Sequence, residues 1–120
     1  MAEPMFGQDA VAFYLLAEQV SKQIKVVQSG QGADEVFGGY FWYPRMQAET
    51  AGAPVERFAR HYFDRDNSDY LRMVAPAYAG SDHTSHLIAE LLAEPDADSF
   101  MDAVLRMDVS TLIVDDPVKR

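Results

Sequence analysis

The run Val26-Val27-Gln28-Ser29-Gly30-Gln31-Gly32-Ala33-Asp34-Glu35-Val36-Phe37-Gly38-Gly39-Tyr40 constrains the fold more than any other part of the chain. Two adjacent β-branched residues favour an extended segment, and the glycines that follow admit positive φ and leave no side chain in the way of a ligand. The pattern predicts a short strand over Lys25 to Gln28, a loop over Ser29 to Ala33, and a helix whose first turn carries Asp34 and Glu35, where acids suit the dipole. Backbone N–H groups around Gln31 to Asp34 can converge on an anion in such a turn. The two acids would repel a bare phosphate but suit one that arrives with Mg2+, a cation that prefers oxygen ligands. A tight turn followed by a capped helix explains the same residues without any ligand, and both readings stay open on these residues alone. Two phosphate-binding signatures are excluded by inspection. A Walker loop needs Lys and then Ser or Thr after its second glycine, and a dinucleotide fingerprint needs Gly or Ala where Glu35 stands.

On either side of this run the pattern is helical. Val11, Phe13, Leu15, Leu16, Val20 and Ile24 recur at mainly helical spacing after an N-cap at Asp9, which predicts a helix to about Gln23 with one packed face. Gly38-Gly39 ends the loop helix early. Phe37, Tyr40, Phe41, Trp42 and Tyr43 then form an aromatic patch before Pro44, read as a core wedge, with a base-stacking wall or an interface as the functional alternative. After Ala51-Gly52-Ala53-Pro54 the chain becomes a series of amphipathic helices, expected near Val55 to Phe63, Ser68 to Val74, Thr84 to Ala93 and Asp98 to Leu112. The sum is an α-rich α/β fragment with one short strand and four to five helices. Residues 1–50 form the strand-loop-helix part and residues 51–120 a helical subregion.

Several polar groups invite a site and are more simply explained. His83 and His86, with Asp82 beside them, have a spacing that can hold a metal, but Ser81 or Asp82 as an N-cap accounts for them. His61 reads as a partly exposed helix residue. Asp96, Asp98, Asp102, Asp108, Asp115 and Asp116 lack the glycine and closing Glu of a calcium loop and read mostly as caps and solvated faces. Glu56, Arg57 and Arg60 read as an exposed helix face.

Composition bounds the partners. Of 120 residues 48% are hydrophobic, a folding composition, and ten Lys plus Arg stand against nineteen Asp plus Glu. The formal charge of −9 opposes nucleic acid and anionic membranes as partners. There is no cysteine and no apolar stretch of about 18 residues, which reads as a soluble, cytoplasmic chain.

The literal string Ser29-Gly30-Gln31-Gly32-Ala33-Asp34-Glu35-Val36-Phe37-Gly38-Gly39-Tyr40 closely resembles the S-G-[ED]-G-[AS]-D-E-[LV]-F-G-G-Y signature of glutamine-dependent asparagine synthetases. Glu3-Pro4, the helix from Asp9, and Asp108 to Asp116, which is similar to D-L-x-T-Y-L-P-D-D, extend the resemblance. It implies an adenine-nucleotide-hydrolase-like (ATP-pyrophosphatase) parallel-sheet domain and an ATP-dependent amide synthesis. A carboxylate is adenylated, and ammonia released from glutamine by a glutaminase domain attacks the acyl-adenylate. Carried over by position, Ser29, Gly30 and Gln31 would line the ATP and substrate site, and Asp34 would lie near Mg2+-pyrophosphate. The paired acids Asp115 and Asp116 would cap or orient the next segment.

Gln31 departs from the pattern, since the family has an acid there, next to the reacting group. A neutral amide cannot serve as a base. The wording around it, with Phe13-Tyr14-Leu15-Leu16 and Trp42-Tyr43-Pro44, resembles the branch that makes N-acetylglutaminylglutamine amide, an osmolyte. The family's S-G-G-x-D-S loop and the N-terminal Cys of its glutaminase domain are not among these residues. The expectation is therefore a piece of a larger synthetase, excised or truncated and inactive alone. Its strand and aromatic patch would lack neighbours, which predicts a homodimer burying Phe37 and Trp42. A nucleotide-binding module without catalysis and a helical oligomerising scaffold are the alternatives.

Overall fold

A computed structural model describes residues 9–115. Their order is α1 (Asp9–Val20), α2 (Ala33–Phe37), α3 (Trp42–Ala48), α4 (Pro54–Tyr62), α5 (Asn67–Met73), a 3-10 turn (Pro76–Tyr78), α6 (His83–Leu92), α7 (Phe100–Ser110) and α8 (Leu112–Asp115). The four helices expected in the second half are all present, with ends within about two residues of those read from the pattern.

Their starts have local causes. Pro54 supplies the fixed φ of a first helical position, and the Glu56 carboxylate accepts the Ala53 N–H at 3.1 Å. Asp66 opens α5 by accepting the Asp69 N–H at 2.8 Å, and Asp82 opens α6 by accepting the Ser85 N–H at 3.0 Å. At α7 the Ser99 hydroxyl accepts the Asp102 N–H at 3.2 Å and donates to the Asp102 carboxylate at 2.7 Å. The N-cap reading of Asp82 thus holds. Among the described residues no group of three or more His, Asp or Glu is placed to hold a metal ion.

The core is one cluster of Tyr43, Met46, Phe58, Val104 and Met107, contributed by α3, α4 and α7 and covered by Ile88, Leu91 and Leu92 of α6. Phe58 is fully buried, with its ring stacked on Tyr62 at 4.4 Å and edge-on to Phe63 at 5.8 Å. Arg57 belongs to this core and not to an exposed helix face. Its guanidinium lies 3.9 Å over the Phe100 ring and donates to the Met46 carbonyl at 3.0 Å, so one side chain joins α3, α4 and α7. The guanidinium is planar and more weakly hydrated than an ammonium, so it can lie flat on the ring while its N–H groups stay free to donate in the ring plane. Arg60 stays outside, paired with Glu49 at 3.0 Å. Arg106 ties α7 to the end of α6 through Asp96, Glu94 and the Leu91 carbonyl.

Three expectations are corrected. The strand over Lys25 to Gln28 is absent, and no strand occurs among the described residues. A strand needs a partner for its N–H and C=O groups, and here Val26 is 83% exposed with nothing beside it to pair with. The helix from Asp9 forms, but most of its expected packed face is open: Ala10 is buried and Phe13 and Val20 are half-buried, whereas Val11, Leu15 and Leu16 are exposed and α1 contributes nothing to the core cluster. The aromatic wedge is split. Tyr43 is buried and Tyr40 and Trp42 pack against the core, whereas Phe37 and Phe41 point outward at 83% and 64% exposure. The helix α3, which runs through Pro44 at its third residue, was not anticipated; the first turn is where proline is tolerated. The outcome is a loose body with a radius of gyration of 17.3 Å, against about 14 Å for a compact domain of this length.

Candidate functional site

Residues 29–34 form the loop that the sequence singles out. Ser29 and Gly30 end an exposed, extended segment, and the Ala33 N–H donates to the Gly30 carbonyl at 3.1 Å to close the turn. Gly32 has φ +85°, a left-handed conformation that a side chain would strain, and the Ile113 side chain lies 3.5 Å from where a Cβ would be. The Ser29 hydroxyl accepts the Gln31 N–H at 3.4 Å, which steadies the turn from inside. Ser29, Gly30, Gln31 and Asp34 are all exposed, and Ser29 and Gln31 line one end of a groove of about 650 Å³ that runs between α1 and residues 24–28. The floor of that groove is apolar, with Phe13, Leu16, Val20 and Val27 along it.

The two acids of the motif have opposite fates. Consecutive helical residues point about 100° apart, so Asp34 and Glu35 project in different directions. Asp34 faces solvent. Its backbone carbonyl accepts the Gly39 N–H at 2.8 Å, and its carboxylate lies so close over Gly39 that a Cβ there would overlap it. Glu35 is turned inward and is 1% exposed, and it accepts the Tyr40 hydroxyl at 2.7 Å.

Behind Glu35 lies a second buried acid. Asp108 of α7 is 1% exposed and accepts the Tyr43 hydroxyl at 2.5 Å. Burial pushes its carboxyl up to about 6, partly offset by the Tyr43 and Tyr62 hydroxyls and reinforced by Glu35. Burial likewise raises the Tyr40, Tyr43 and Tyr62 phenols far above their ordinary range, helped by the same carboxylates. They stay protonated and act as donors at any working pH. Two carboxyls are thus housed in the core with tyrosine hydroxyls as their donors, at the place where α2 packs on α7. Asp108 is therefore neither a cap nor a solvated acid, which corrects that expectation. No local pattern announces the Tyr43–Asp108 bond, since its members are 65 positions apart. The Asp115 side chain and Asp116 lie outside the described residues.

A family model, asparagine synthase, matches residues 1–120, the whole chain. The chain belongs to the asparagine synthase family. Among curated proteins it is similar to a putative glutamine-hydrolysing asparagine synthetase of Mycobacterium tuberculosis (strain ATCC 25618 / H37Rv), 46% identical over 41 residues. It is also similar to glutamine-hydrolysing asparagine synthetase 1 of Bacillus subtilis (strain 168), 42% identical over 41 residues. Each match covers 34% of this chain and only 6% of the relative. No solved structure matches.

In this member of the family the candidate site has a limited chemical repertoire. Gln31 offers an amide donor and acceptor and no base. Since Glu35 is occupied with Tyr40, Asp34 is the motif carboxylate turned to solvent. One carboxylate is too few for a dedicated metal cage but suits Mg2+ that is carried in on phosphate oxygens, the usual mode for that ion. Among the described residues no helix is long and apolar enough to cross a membrane.

Proposed function

We propose that the chain forms part of an ATP-dependent, glutamine-hydrolysing amide-forming ligase, which adenylates a carboxylate and passes the acyl group to ammonia. In this reading Ser29, Gly30 and Gln31 face ATP and the acyl substrate, and Asp34 stands beside Mg2+-pyrophosphate. Residues 1–50 serve as the nucleotide-facing part and residues 51–120 as its helical support. The observation that carries the reading is the division of labour between adjacent acids: Glu35 is locked inward and Asp34 is left at the loop mouth.

Gln31 in place of the family acid favours N-acetylglutaminylglutamine over aspartate as the substrate. The loss of a charge next to the reacting group suits a different acyl partner. The exposed segment over 24–28 is the piece that would pair into a parallel, ATP-pyrophosphatase-type sheet, and a glutaminase domain would supply the ammonia in the cytoplasm.

A second reading has its own support. Val11, Leu15, Leu16, Val27, Phe37 and Phe41 are all more than half exposed, and covering such apolar side chains favours a homodimeric helical scaffold. Calorimetric titration with Mg-ATP and with Mg-pyrophosphate separates the two. Binding that is lost in Asp34→Ala supports the ligase reading, and an oligomer indifferent to nucleotide supports the scaffold.

A further inference from the structure

We propose that Asp108 is a positioning residue for the Asp34 loop: acting through Tyr43 and Tyr40, its carboxyl sets how closely α2 lies against α7, and its protonation changes that setting. That the positioned loop is a nucleotide loop rests on the function proposed above; the movement of α2 does not.

The path is continuous. Asp108 accepts from the Tyr43 hydroxyl at 2.5 Å, and the Tyr43 ring lies 5.8 Å from the Tyr40 ring. Tyr40 donates to Glu35 at 2.7 Å, and its neighbour Gly39 donates to the Asp34 carbonyl at 2.8 Å. A shift of Asp108 relative to Glu35 is therefore felt at both ends of α2, and Asp34 is one residue from the group that moves. Trp42, the one tryptophan of the chain, stacks on Tyr40 at 4.2 Å and reads the same displacement.

The charges around Asp108 give the setting its direction. Glu35 faces it from α2, Tyr43 from α3, Tyr62 from α4, and Tyr40 lies beside Tyr43 on the turn before α3. Against α7, α6 brings the apolar Ile88, Leu91 and Leu92, and Arg106 of α7 itself is engaged by Asp96, Glu94 and the Leu91 carbonyl. Among the described residues the groups that act on the Asp108 carboxyl are Tyr43, Tyr62 and Glu35, none of them a cation. When Asp108 is protonated it gains an O–H that can donate within the cluster, and α2 closes on α7. When it is ionised it accepts only, and two carboxyls oppose each other in a medium that screens poorly. The contact between α2 and α7 then loosens.

The test needs no nucleotide, so it succeeds or fails independently of the proposed function. Trp42 fluorescence and amide exchange at Val36, whose N–H donates to the Gly32 carbonyl, are followed from pH 4.5 to 8 with the intrinsic exchange rate divided out. The expected result is a shared transition near pH 6, with Val36 protection lost as pH rises through it. Asp108→Asn should hold high protection and show no transition, and Tyr62→Phe, which removes a donor to the ionised form, should move the midpoint upward. A flat wild-type profile, or the same transition in Asp108→Asn, would overturn the proposal. Should Asp108→Asn fail to fold by circular dichroism, an unmoved midpoint in Tyr62→Phe overturns it. A preserved profile alongside absent Mg-pyrophosphate binding would remove the nucleotide reading of the loop and leave the role of Asp108 in place.

Discussion

The Tyr43 hydroxyl meets the Asp108 carboxylate at 2.5 Å across 65 positions of sequence, and both groups are buried. This bond joins the segment after the glycine loop to the helix that begins the family's second stretch of resemblance. The loop and the helical half are therefore packed as one structure, and the polar core between them has measurable consequences.

Stability should fall with rising pH in a window set by Asp108. The carboxyl is raised in the folded state from 3.8 to about 6, so the folded chain holds a proton that the unfolded chain has released. The stabilisation is complete below about 4, is lost as pH rises to about 6, and totals roughly 3 kcal/mol at most. Glu49, Asp66 and Asp82 are held below the usual carboxylate range by hydrogen bonds and act with the opposite sign, their stabilisation being lost as pH falls. Urea midpoints between pH 4.5 and 7 should decline in the wild type and stay level in Asp108→Asn, which should be the more stable of the two at pH 7.

Tyr43→Phe removes the donor and leaves an ionised carboxylate in the core. The expected loss at pH 7 is about 1.5–3 kcal/mol, the usual value for a hydrogen bond to a charged group. At pH 5, where Asp108 is mostly protonated, the loss should be smaller. Equal losses in denaturant melts at the two pH values would show that the hydroxyl does not serve the charge.

Gly39→Ala places a Cβ into the Asp34 carboxylate and 3.2 Å from its Cα. Overpacking of this kind costs about 1–3 kcal/mol, and the side chain that must yield is Asp34. The variant should remain helical by circular dichroism and should lose Mg-pyrophosphate affinity as Asp34→Ala does.

Arg57→Lys keeps the charge but loses the flat contact with Phe100 and the fixed fork toward the Met46 carbonyl. A cost of about 1–2 kcal/mol is expected from the cation–π contact and hydrogen bond together. Arg60→Lys, on the exposed pair with Glu49, should change thermal stability by under about 1 kcal/mol.

What was legible in the sequence was local. Asp66, Asp82 and Ser99 mark helix starts because a cap acts within three residues, and the loop motif could be read because its glycines and acids are contiguous. Burial was not legible. Arg57 looks like any solvated helix arginine until Phe100 arrives from 43 positions away, and Asp108 looks like one acid among many until Tyr43 reaches it. The strand over Lys25 to Gln28 failed for the same reason in reverse: β propensity names a preference, and the pairing edge that would realise it is not present among the described residues.

The central claim is that Asp34 and the turn before it face a metal-bound phosphate. Amide chemical-shift mapping with inorganic pyrophosphate, with and without Mg2+, tests this at the residues concerned. Shifts confined to 29–35, dependent on Mg2+ and abolished in Asp34→Ala, are the predicted result. Shifts spread over other surfaces, or a loop that stays silent at saturating Mg-pyrophosphate, would contradict it.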